Sequence, residues 1–307
     1  MVQRTTPAVR VSPLIDAPYR SALVVANPTS GQGQGVKAAR EVQFGLEHRG
    51  VPTALLITAE RGAAFEHLRA METDVDLIVS VGGDGTLREV FEGLVDPEVP
   101  IAVLPFGTAN VLARELGMPR DVHLFLEIVL RRRVEAIDVL RVNGRLSFLA
   151  VGVGLDGEIV RRVEGGRRGP ITRFKYVPAG LASFLRFVPP VLTVTLDGER
   201  LEGNFGLALV TNTARYAGLF RIASDCRRDD GLFEVVLLPT GGRLEILAAL
   251  TRGLVGCVTG RTIQLRRARS VKIESAGPVP YQVDGDFGGT TPVLLEPAPN
   301  RYRLVVP

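Results

Sequence analysis

Short apolar runs alternate with segments of helical periodicity through the first half of the chain. The runs are rich in β-branched residues, as buried strands are, and they cover residues 21–26, 53–57, 77–81 and 101–104. The segments whose apolar residues recur at helical spacing are 36–49, 63–71 and 86–94, and a further helix begins near Asn110. Strands and helices that alternate in this way predict a doubly wound parallel α/β domain, with ligands beyond the carboxyl ends of the strands.

The pattern changes near Ala136, where turn signals separate short apolar runs. Asn143-Gly144 lies between residues 136–142 and 147–153, and Asp197-Gly198 follows residues 192–196, as in two hairpins. Further strands are predicted at residues 206–211, 233–238, 262–265, 271–274, 281–283, 293–296 and 302–306, with one helix near 243–255. The second half therefore predicts an antiparallel, β-sandwich-like domain.

The length of 307 residues favours two domains over one. We predict a nucleotide-binding α/β domain at residues 1–137 and a β-rich domain at 138–292, with 293–307 as a segment that could return to the first domain. The hydrophobic content of 46% is sufficient for two cores. A net charge of +4 suits anionic partners such as nucleotides or acidic membrane surfaces.

Several classes of protein are disfavoured by what the sequence lacks. Cys226 and Cys257 are far apart, which argues against a disulfide framework and against a thiolate metal site. Residues 1–20 have no apolar core of the kind that a secretion signal needs. Arg252 interrupts the longest apolar stretch, so no run reaches the roughly 18 residues of a membrane span. We expect a cytoplasmic protein that is at most peripherally associated with a membrane.

The candidate chemistry is concentrated at residues 77–89, where a predicted strand runs through a glycine loop into a predicted helix. Gly82, Gly83 and Gly85 allow the backbone to bend and to approach a ligand closely. The start of a helix presents unpaired N–H groups and a positive dipole end, which suit phosphate. Asp84 would repel phosphate unless a cation lay between them, so it suggests Mg²⁺. The competing interpretation is an ordinary tight turn with an incidental acid.

Two further loops follow predicted strands in the same domain. Residues 27–35 are rich in glycine and lead into the first helix, and residues 105–108 lead into the helix near Asn110. Because the carboxyl ends of parallel strands lie along one edge of a sheet, the three loops are expected to meet. Their convergence favours nucleotide binding more strongly than any one loop does.

With these loops in order, the sequence resembles the bacterial diacylglycerol kinase-like lipid kinases, which are relatives of sphingosine and ceramide kinases. The motifs that carry the resemblance are Asn27-Pro28-Thr29-Ser30-Gly31, Gly82-Gly83-Asp84-Gly85-Thr86, Pro105-Phe106-Gly107-Thr108-Ala109-Asn110, Val151–Asp156, Tyr216-Ala217-Gly218, Asp229-Asp230-Gly231-Leu232 and Asp284-Gly285-Asp286. The resemblance covers nearly everything after residue 20. The sequence departs from the family pattern at Val111, where many members have Asp, at Asp286, where Glu is usual, and at Ala217 within a glycine pair.

The resemblance implies a transfer of phosphate from ATP to a lipid hydroxyl, assisted by Mg²⁺. Asp84 would organise Mg²⁺ and Asp286 would serve as the general base, with Asp284 as the rival for that role. The residues expected to contact the nucleotide are Asn27, Pro28, Thr29, Ser30, Gly31, Thr58, Gly82, Gly83, Asp84, Gly85, Thr86, Leu87, Arg88, Glu89, Gly107, Thr108 and Asn110.

The resemblance also implies a structural cation in the second domain. Its ligands would be the carbonyl groups of Arg227 and Leu232 and the carboxylate of Asp230. A surface turn is the competing interpretation of this stretch.

The residues themselves suggest contact with an anionic membrane surface. The basic residues between 161 and 186 are Arg161, Arg162, Arg167, Arg168, Arg173, Lys175 and Arg186, and Glu164 is the only acid among them. Leu181, Phe184, Leu185, Phe187 and Val188 are interleaved with the later part of this stretch. A solvated basic face is the competing interpretation. We expect no nucleic-acid partner and leave a homodimer open as the assembly.

Two alternatives to the lipid kinase remain. A kinase that acts on NAD would share the loop at residues 82–86, although residues 27–31 and 105–110 are not expected there. A nucleotide-gated lipid-binding protein with little turnover is the other, because Val111 and Asp286 depart from the family pattern.

Overall fold

A computed structural model describes residues 19–71, 75–165, 180, 182–216, 220–221, 226–240, 245–246, 248 and 263–307. Most of the helix predicted at 243–255 lies outside these residues, as do Arg167, Arg168, Arg173, Lys175, Leu181, Ala217 and Cys257.

The first part of the chain forms strands and helices in alternation. The strands are β1 Ala22–Ala26, β2 Thr53–Ile57, β3 Ile78–Gly82, β4 Ile101–Pro105 and β5 Val134–Ile137. The helices are α1 Gln34–Glu47, α2 Ala63–Ala70, α3 Asp84–Gly93, α4 Val111–Glu115 and α5 Val122–Arg131. A 3₁₀ turn at Ser30–Gly33 precedes α1.

The second part is dominated by strands. In chain order its elements are β6 Leu140–Val142, β7 Arg145–Ser147, β8 Ala150–Val153, α6 Leu155–Gly165, β9 Leu192–Leu196, β10 Glu199–Arg200, β11 Phe205–Thr211, β12 Arg215–Tyr216, β13 Phe220–Arg221, β14 Phe233–Pro239, β15 Gln264–Ala268, β16 Val271–Ser275, β17 Pro280–Val283, β18 Asp286–Thr290, β19 Val293–Pro297 and β20 Tyr302–Val305.

The first sheet is parallel through its centre and places three strand ends side by side. Within the described residues it has six strands, in the order β2-β1-β3-β4-β20-β5, and only β5 runs antiparallel to its neighbour. Ala26 is level with Val81, and Gly82 is level with Pro105, so β1, β3 and β4 end at the same edge. The loops that follow these three strands are therefore neighbours, as expected from the sequence.

The second sheet is antiparallel and is built around β8, β11 and β9. Twelve strands of the described part of the chain belong to it. β19 also lies in this sheet, pairing with β16 and β6, so only β20 returns to the first sheet. The predicted fold class, a parallel α/β domain followed by an antiparallel β domain, is confirmed.

Aromatic side chains join the two parts of the molecule. Phe91 on α3 stacks on Phe148 of the β7–β8 connection at 4.9 Å and meets Tyr302 of β20 edge-on at 4.8 Å between ring centroids. Phe91 and Phe148 are fully buried within one continuous core. The helix that begins at Asp84 is thus packed against the second domain as well as against its own sheet.

Candidate active site

The loops after β3 and β4 are tied together by backbone hydrogen bonds. The carbonyl oxygen of Gly82 accepts the N–H groups of both Phe106, at 2.8 Å, and Gly107, at 2.9 Å. A Cβ atom on Gly107 would lie 2.3 Å from the Cα atom of Gly83, so the two loops touch where neither has a side chain. Glycine is needed at this crossing because any larger residue would push the loops apart.

The loop after β1 packs against the loop after β4. Gly31 has a φ of +60°, and a Cβ atom there would be 3.0 Å from the ring of Phe106. The guanidinium group of Arg120 lies over the same ring, with its carbon atom 4.7 Å from the ring centroid of Phe106. The side-chain oxygen of Asn27 accepts the N–H and the hydroxyl of Thr29, at 2.9 and 2.7 Å. These contacts hold all three loops at one end of the sheet.

Gly85 differs from the other glycines of the central loop. A Cβ atom there would meet nothing within 4 Å, and its φ is not in the left-handed region. Neither packing nor backbone strain therefore explains a glycine in the first turn of α3. The open space lies at a helix N-terminus, where N–H groups are unpaired, and this is the geometry of a phosphate cradle.

The cradle is shorter than the sequence suggested. The N–H of Leu87 is bonded to the carbonyl of Gly83 at 3.1 Å, and the N–H groups of Arg88 and Glu89 belong to the interior of the helix. Only the first-turn groups, at Asp84, Gly85 and Thr86, are available to a ligand. Leu87, Arg88 and Glu89 were also expected to contact the nucleotide, but their backbone N–H groups are used inside the helix and cannot bind phosphate.

Asp84 has a structural contact that the sequence did not reveal. Both of its carboxylate oxygens accept the N–H of Val111, at 3.0 and 3.1 Å, so the side chain caps α4. Burial raises the pKa of Asp84, while the N–H groups at the start of α4 lower it. The carboxylate lies at the first residue of α3 and joins the loops after β3 and β4. The carboxylate lies beside the cradle, and its role in Mg²⁺ binding remains a prediction.

Three other residues that were expected to contact the nucleotide use their side chains internally. Asn110 brackets Gly107, accepting its N–H and donating to its carbonyl, both at 2.8 Å. The buried hydroxyl of Thr58 donates to the carbonyl of Ala26 at 3.3 Å. Glu89 accepts the N–H groups of Gly62 and Ala64, at 3.0 and 3.3 Å, and so caps α2. These side chains shape the loops whether or not they touch a ligand.

Asp284 is enclosed by hydrogen-bond donors. Its carboxylate accepts the hydroxyl of Ser147 at 2.7 Å and the N–H groups of Phe148, Leu149 and Ala150 at 3.0 Å each. Burial raises the pKa of Asp284, and these donors oppose the rise. A carboxylate committed in this way holds the β7–β8 connection in place. The geometry therefore argues against Asp284 as a base that exchanges protons with a substrate.

Asp286 crosses from the second domain to the first. Its Oδ2 atom accepts Arg88 Nη2 of α3 at 2.5 Å and Arg61 Nη2 at 2.6 Å. The side chain of Asp286 is 28% exposed, that of Arg61 61% exposed and that of Arg88 8% exposed. The carboxylate is thus accessible and lies beside the helix that begins the phosphate cradle.

The turn that carries Asp286 is supported from below. Gln282 accepts the N–H of Gly285 at 2.7 Å and donates to Asp156 at 2.8 Å. Asp156 is half-buried, and desolvation of its carboxyl group raises its pKa. The amide of Gln282 is held in one orientation by these two contacts, and this orientation fixes the turn at residues 284–286.

The predicted structural cation site is already paired in the structure. Asp230 Oδ1 accepts the N–H of Leu232 at 3.1 Å, and Asp230 Oδ2 accepts Arg267 Nη2 at 2.5 Å. The side chain of Arg227 pairs with Asp229 at 3.5 Å. Across the residues described by the structure, no group of three or more His, Cys, Asp or Glu side chains could hold a metal. A cation at Asp230 would therefore compete with Arg267.

Several residues of this region could not be found from the sequence. The side chains of Arg61, Arg267, Gln282 and Arg88 belong to no motif, and the carboxylates with which they pair lie far away along the chain. Arg88 and Asp286 are 198 residues apart, and Arg61 and Asp286 are 225 apart. No local pattern signals such pairs.

Two protein-family models match the chain, each over a different range of residues. A model of the diacylglycerol kinase catalytic domain matches residues 21–142. A model of the YegS C-terminal NAD kinase beta sandwich-like domain matches residues 149–306, which is more than half of the chain. The first match extends through β6, the first strand of the second sheet, and the second match includes β20 of the first sheet.

Named relatives match along nearly the whole chain. A diacylglycerol kinase of Bacillus subtilis (strain 168) is 29% identical over 278 residues, covering 89% of this chain and 92% of the relative. One of Staphylococcus carnosus (strain TM300) is 27% identical over 277 residues, covering 89% and 90%. A crystal structure of a diacylglycerol kinase from Bacillus anthracis strain Sterne superposes with a TM-score of 0.72 at 20% identity, covering 95% of this chain and 98% of that one, and so shares the fold.

Proposed function

The chain belongs to the bacterial diacylglycerol kinase-like family of lipid kinases, and from this premise we propose that it transfers the γ-phosphate of ATP to a hydroxyl group of diacylglycerol or a related lipid. One observation carries the proposal. The ion pair of Asp286 with Arg88 brings an accessible carboxylate of the second domain beside the helix whose first turn forms the phosphate cradle.

The nucleotide would bind with its phosphates over the first turn of α3. The support is the open space at Gly85, the free N–H groups of residues 84–86 and the positive end of the helix dipole. The hydroxyl of Thr86, which lies against Gly82, is close to this turn. Phosphoryl transfer depends mainly on such positioning and on neutralisation of charge.

A Mg²⁺ ion would be held at Asp84. Mg²⁺ is commonly bound by one or two carboxylates together with substrate phosphates and waters, so a single carboxylate beside the cradle is a sufficient protein ligand. A cation at Asp84 would share the carboxylate oxygens with the N–H groups at the start of α4. When bound, the ion would neutralise charge that develops on the transferred phosphoryl group.

Asp286 would be the general base. In the proposed step the lipid oxygen bonds to the γ-phosphorus, the bond from that phosphorus to the leaving ADP oxygen breaks, and the hydroxyl proton passes to Asp286. The exposure of Asp286 supports this role over the enclosed Asp284. Because Asp286 contacts Arg88 of α3, the base would lie beside the same helix whose first turn would bind the phosphate.

An assay with labelled ATP, Mg²⁺ and a panel of acceptors tests the proposal. The panel contains diacylglycerol, monoacylglycerol, a sphingoid base, phospholipids and NAD. Transfer to a lipid supports the proposed function and identifies the acceptor. Transfer to NAD alone would replace it with the NAD kinase alternative. Binding of ATP and lipid with no transfer to any acceptor would favour the nucleotide-gated lipid-binding protein.

The lipid would be reached at an exposed apolar rim, which we define as Leu185, Val188 and Val191. These side chains are 57%, 78% and 51% exposed, and the exposed Arg186 lies among them. Arg161 and Arg162 are already paired with Glu158, at 2.6 and 2.7 Å, so they add less positive charge than the sequence suggested. Among the described residues no helix is both long and apolar enough to cross a membrane. A peripheral contact with anionic lipid fits these observations.

Val188→Ser is expected to weaken sedimentation with vesicles that contain anionic phosphatidylglycerol, because it removes the most exposed side chain of the rim. Raising the salt concentration should also reduce binding, since each basic residue at the surface contributes about 1 kcal/mol that salt screens. Val95→Ser is the matched control, because Val95 is 65% exposed in the first domain. Sedimentation that ignores salt, anionic lipid and Val188→Ser would remove the membrane proposal.

The structural cation at Arg227, Asp230 and Leu232 remains a prediction with a specific test. Because Arg267 competes for Asp230, the thermal midpoint without nucleotide should respond little to Mg²⁺ or EDTA in the unmodified protein. Arg267→Gln should make the midpoint rise with Mg²⁺, and Asp230→Asn in the same background should abolish the rise. If the midpoint of Arg267→Gln ignores Mg²⁺, no cation binds there.

A further inference from the structure

We propose that Arg88 is the positioning residue of the phosphoryl transfer, holding the carboxylate of Asp286 in register with the phosphate cradle. The inference rests on the proposed function and assigns to Arg88 a role different from backbone contact with the nucleotide. Four features of the described residues support it: the place of Arg88 on α3, its burial, the atom of Asp286 that it binds, and the rigidity of the turn that presents Asp286.

Arg88 lies on the same face of α3 as Asp84. The two residues are four positions apart, which places them one above the other on the helix. The guanidinium of Arg88 reaches Asp286, and the charge of Glu92, one turn later on α3, also acts on it. Asp286 is thereby held against α3, one turn after the residues that form the cradle.

Because Arg88 is buried, its positive charge needs the carboxylate of Asp286 as a partner. An unpaired guanidinium in this position would be strongly unfavourable, and removing one partner of a buried pair leaves an uncompensated charge. Burial by itself would lower the pKa of Arg88, but the charge and the hydrogen bond of Asp286 outweigh it and the pKa is raised. Glu92, one turn further along α3, adds a weaker favourable charge. The contact is therefore persistent in a way that the exposed Arg61 contact need not be.

Both arginines donate to the same carboxylate oxygen of Asp286, and neither donates to the second oxygen. Both guanidinium groups contact Oδ2, at 2.5 and 2.6 Å. Oδ1 accepts no hydrogen bond from any residue within the described ranges. A general base needs one oxygen with a free lone pair and a fixed direction. Arg88 can supply the direction through Oδ2 without occupying the oxygen that would take the proton.

The backbone that carries Asp286 is fixed independently. Asp284 is bonded to the β7–β8 connection, and Gln282 holds the N–H of Gly285. With the backbone held inside the second domain, only the side-chain torsions of Asp286 are left to adjust, and Arg88 of the first domain fixes them through Oδ2. The pair thus links the group that activates the lipid to the helix that would hold the phosphate.

Arg88→Gln is expected to lower kcat by about 10²-fold, the loss that a misplacement of about 1 Å can cause, while the KM for ATP stays nearly unchanged. In an Asp286→Asn background the same substitution should cause little further loss, because Arg88 acts through Asp286. Arg88→Lys should retain more activity than Arg88→Gln, since it keeps a positive charge but not the planar fork.

Arg69→Gln is the matched control, because Arg69 is exposed on neighbouring α2 and its replacement removes the same charge. Should Arg88→Gln fail to fold, Arg88→Lys carries the same cycle with Asp286→Asn. A urea-unfolding cycle on the four proteins reports the Arg88–Asp286 coupling without any assay of activity, and we expect it to be non-additive.

Equal losses in both backgrounds would overturn the proposal, since Arg88 would then act independently of Asp286. A large rise in the KM for ATP with unchanged kcat would also overturn it, because Arg88 would bind the nucleotide. Additive unfolding free energies would show that the pair does not exist. These outcomes differ from failure of the proposed function, in which the unmodified protein transfers phosphate to no lipid.

Discussion

Asp84→Asn is expected to lower the rate of phosphoryl transfer by about 10³-fold, corresponding to roughly 4 kcal/mol of charge stabilisation through a bound metal ion. The amide retains one oxygen, which can still accept the N–H of Val111, but its nitrogen would face the N–H groups at the start of α4, so the cap of α4 is weakened. The loss in turnover and in the dependence on Mg²⁺ should nevertheless be much larger than the accompanying loss of about 1–3 kcal/mol in the free energy of unfolding. Single-turnover rates over a range of Mg²⁺ concentrations measure it.

Asp121→Asn is the control for the capping role of Asp84. Asp121 caps α5 by accepting the N–H of Leu124 at 2.9 Å, and it is exposed. Its amide variant should fold and turn over normally. Asp84→Ala should additionally lose the cap of α4, a change of about 0.5–2 kcal/mol in the free energy of unfolding. Near-normal turnover of Asp84→Asn with unchanged Mg²⁺ dependence would show that Asp84 is only a cap.

Asp286→Asn is expected to lower turnover by about 10²–10⁴-fold, the usual contribution of a general base, with ATP affinity nearly unchanged. The amide cannot take the proton of the lipid hydroxyl, although it can still accept a hydrogen bond from Arg88. Asp286→Glu should keep substantial activity, because it restores a carboxylate and the residue that is usual in the family. Steady-state rates at saturating lipid, together with ATP titration, measure both effects.

Asp284→Asn separates the two carboxylates of the turn. Its amide nitrogen would face N–H donors of residues 148–150, so we expect a loss of about 1–3 kcal/mol in the free energy of unfolding. Asp197→Asn is a control from another turn, where the carboxylate accepts the N–H groups of Arg269 and Ser270 and φ is also positive. If Asp284→Asn is folded and inactive while Asp286→Asn turns over normally, the base lies two residues upstream.

The fold class, the family and the meeting of three loops follow from the amino-acid sequence alone. Each follows from local patterns: the period of apolar residues distinguishes strands from helices, and the glycine-rich turns after β1, β3 and β4 are short contiguous motifs. The resemblance to lipid kinases, which those motifs carried, is confirmed by the family matches. The parallel arrangement then placed the loops at one edge, because parallel strands share the direction of their carboxyl ends.

The roles of the individual side chains depend on contacts that exist only in the folded chain. Asp284 and Asp286 are two residues apart in an Asp-Gly-Asp turn, yet one is enclosed by residues 147–150 and the other reaches Arg88 in the other domain. In the same way, the fold brings Asp84 to the start of α4, which it caps, and brings Arg267 to Asp230, with which it forms an ion pair. The partners in these pairs are 27 to 198 residues apart along the chain, so they are set by how the sheets and helices pack and not by any local pattern.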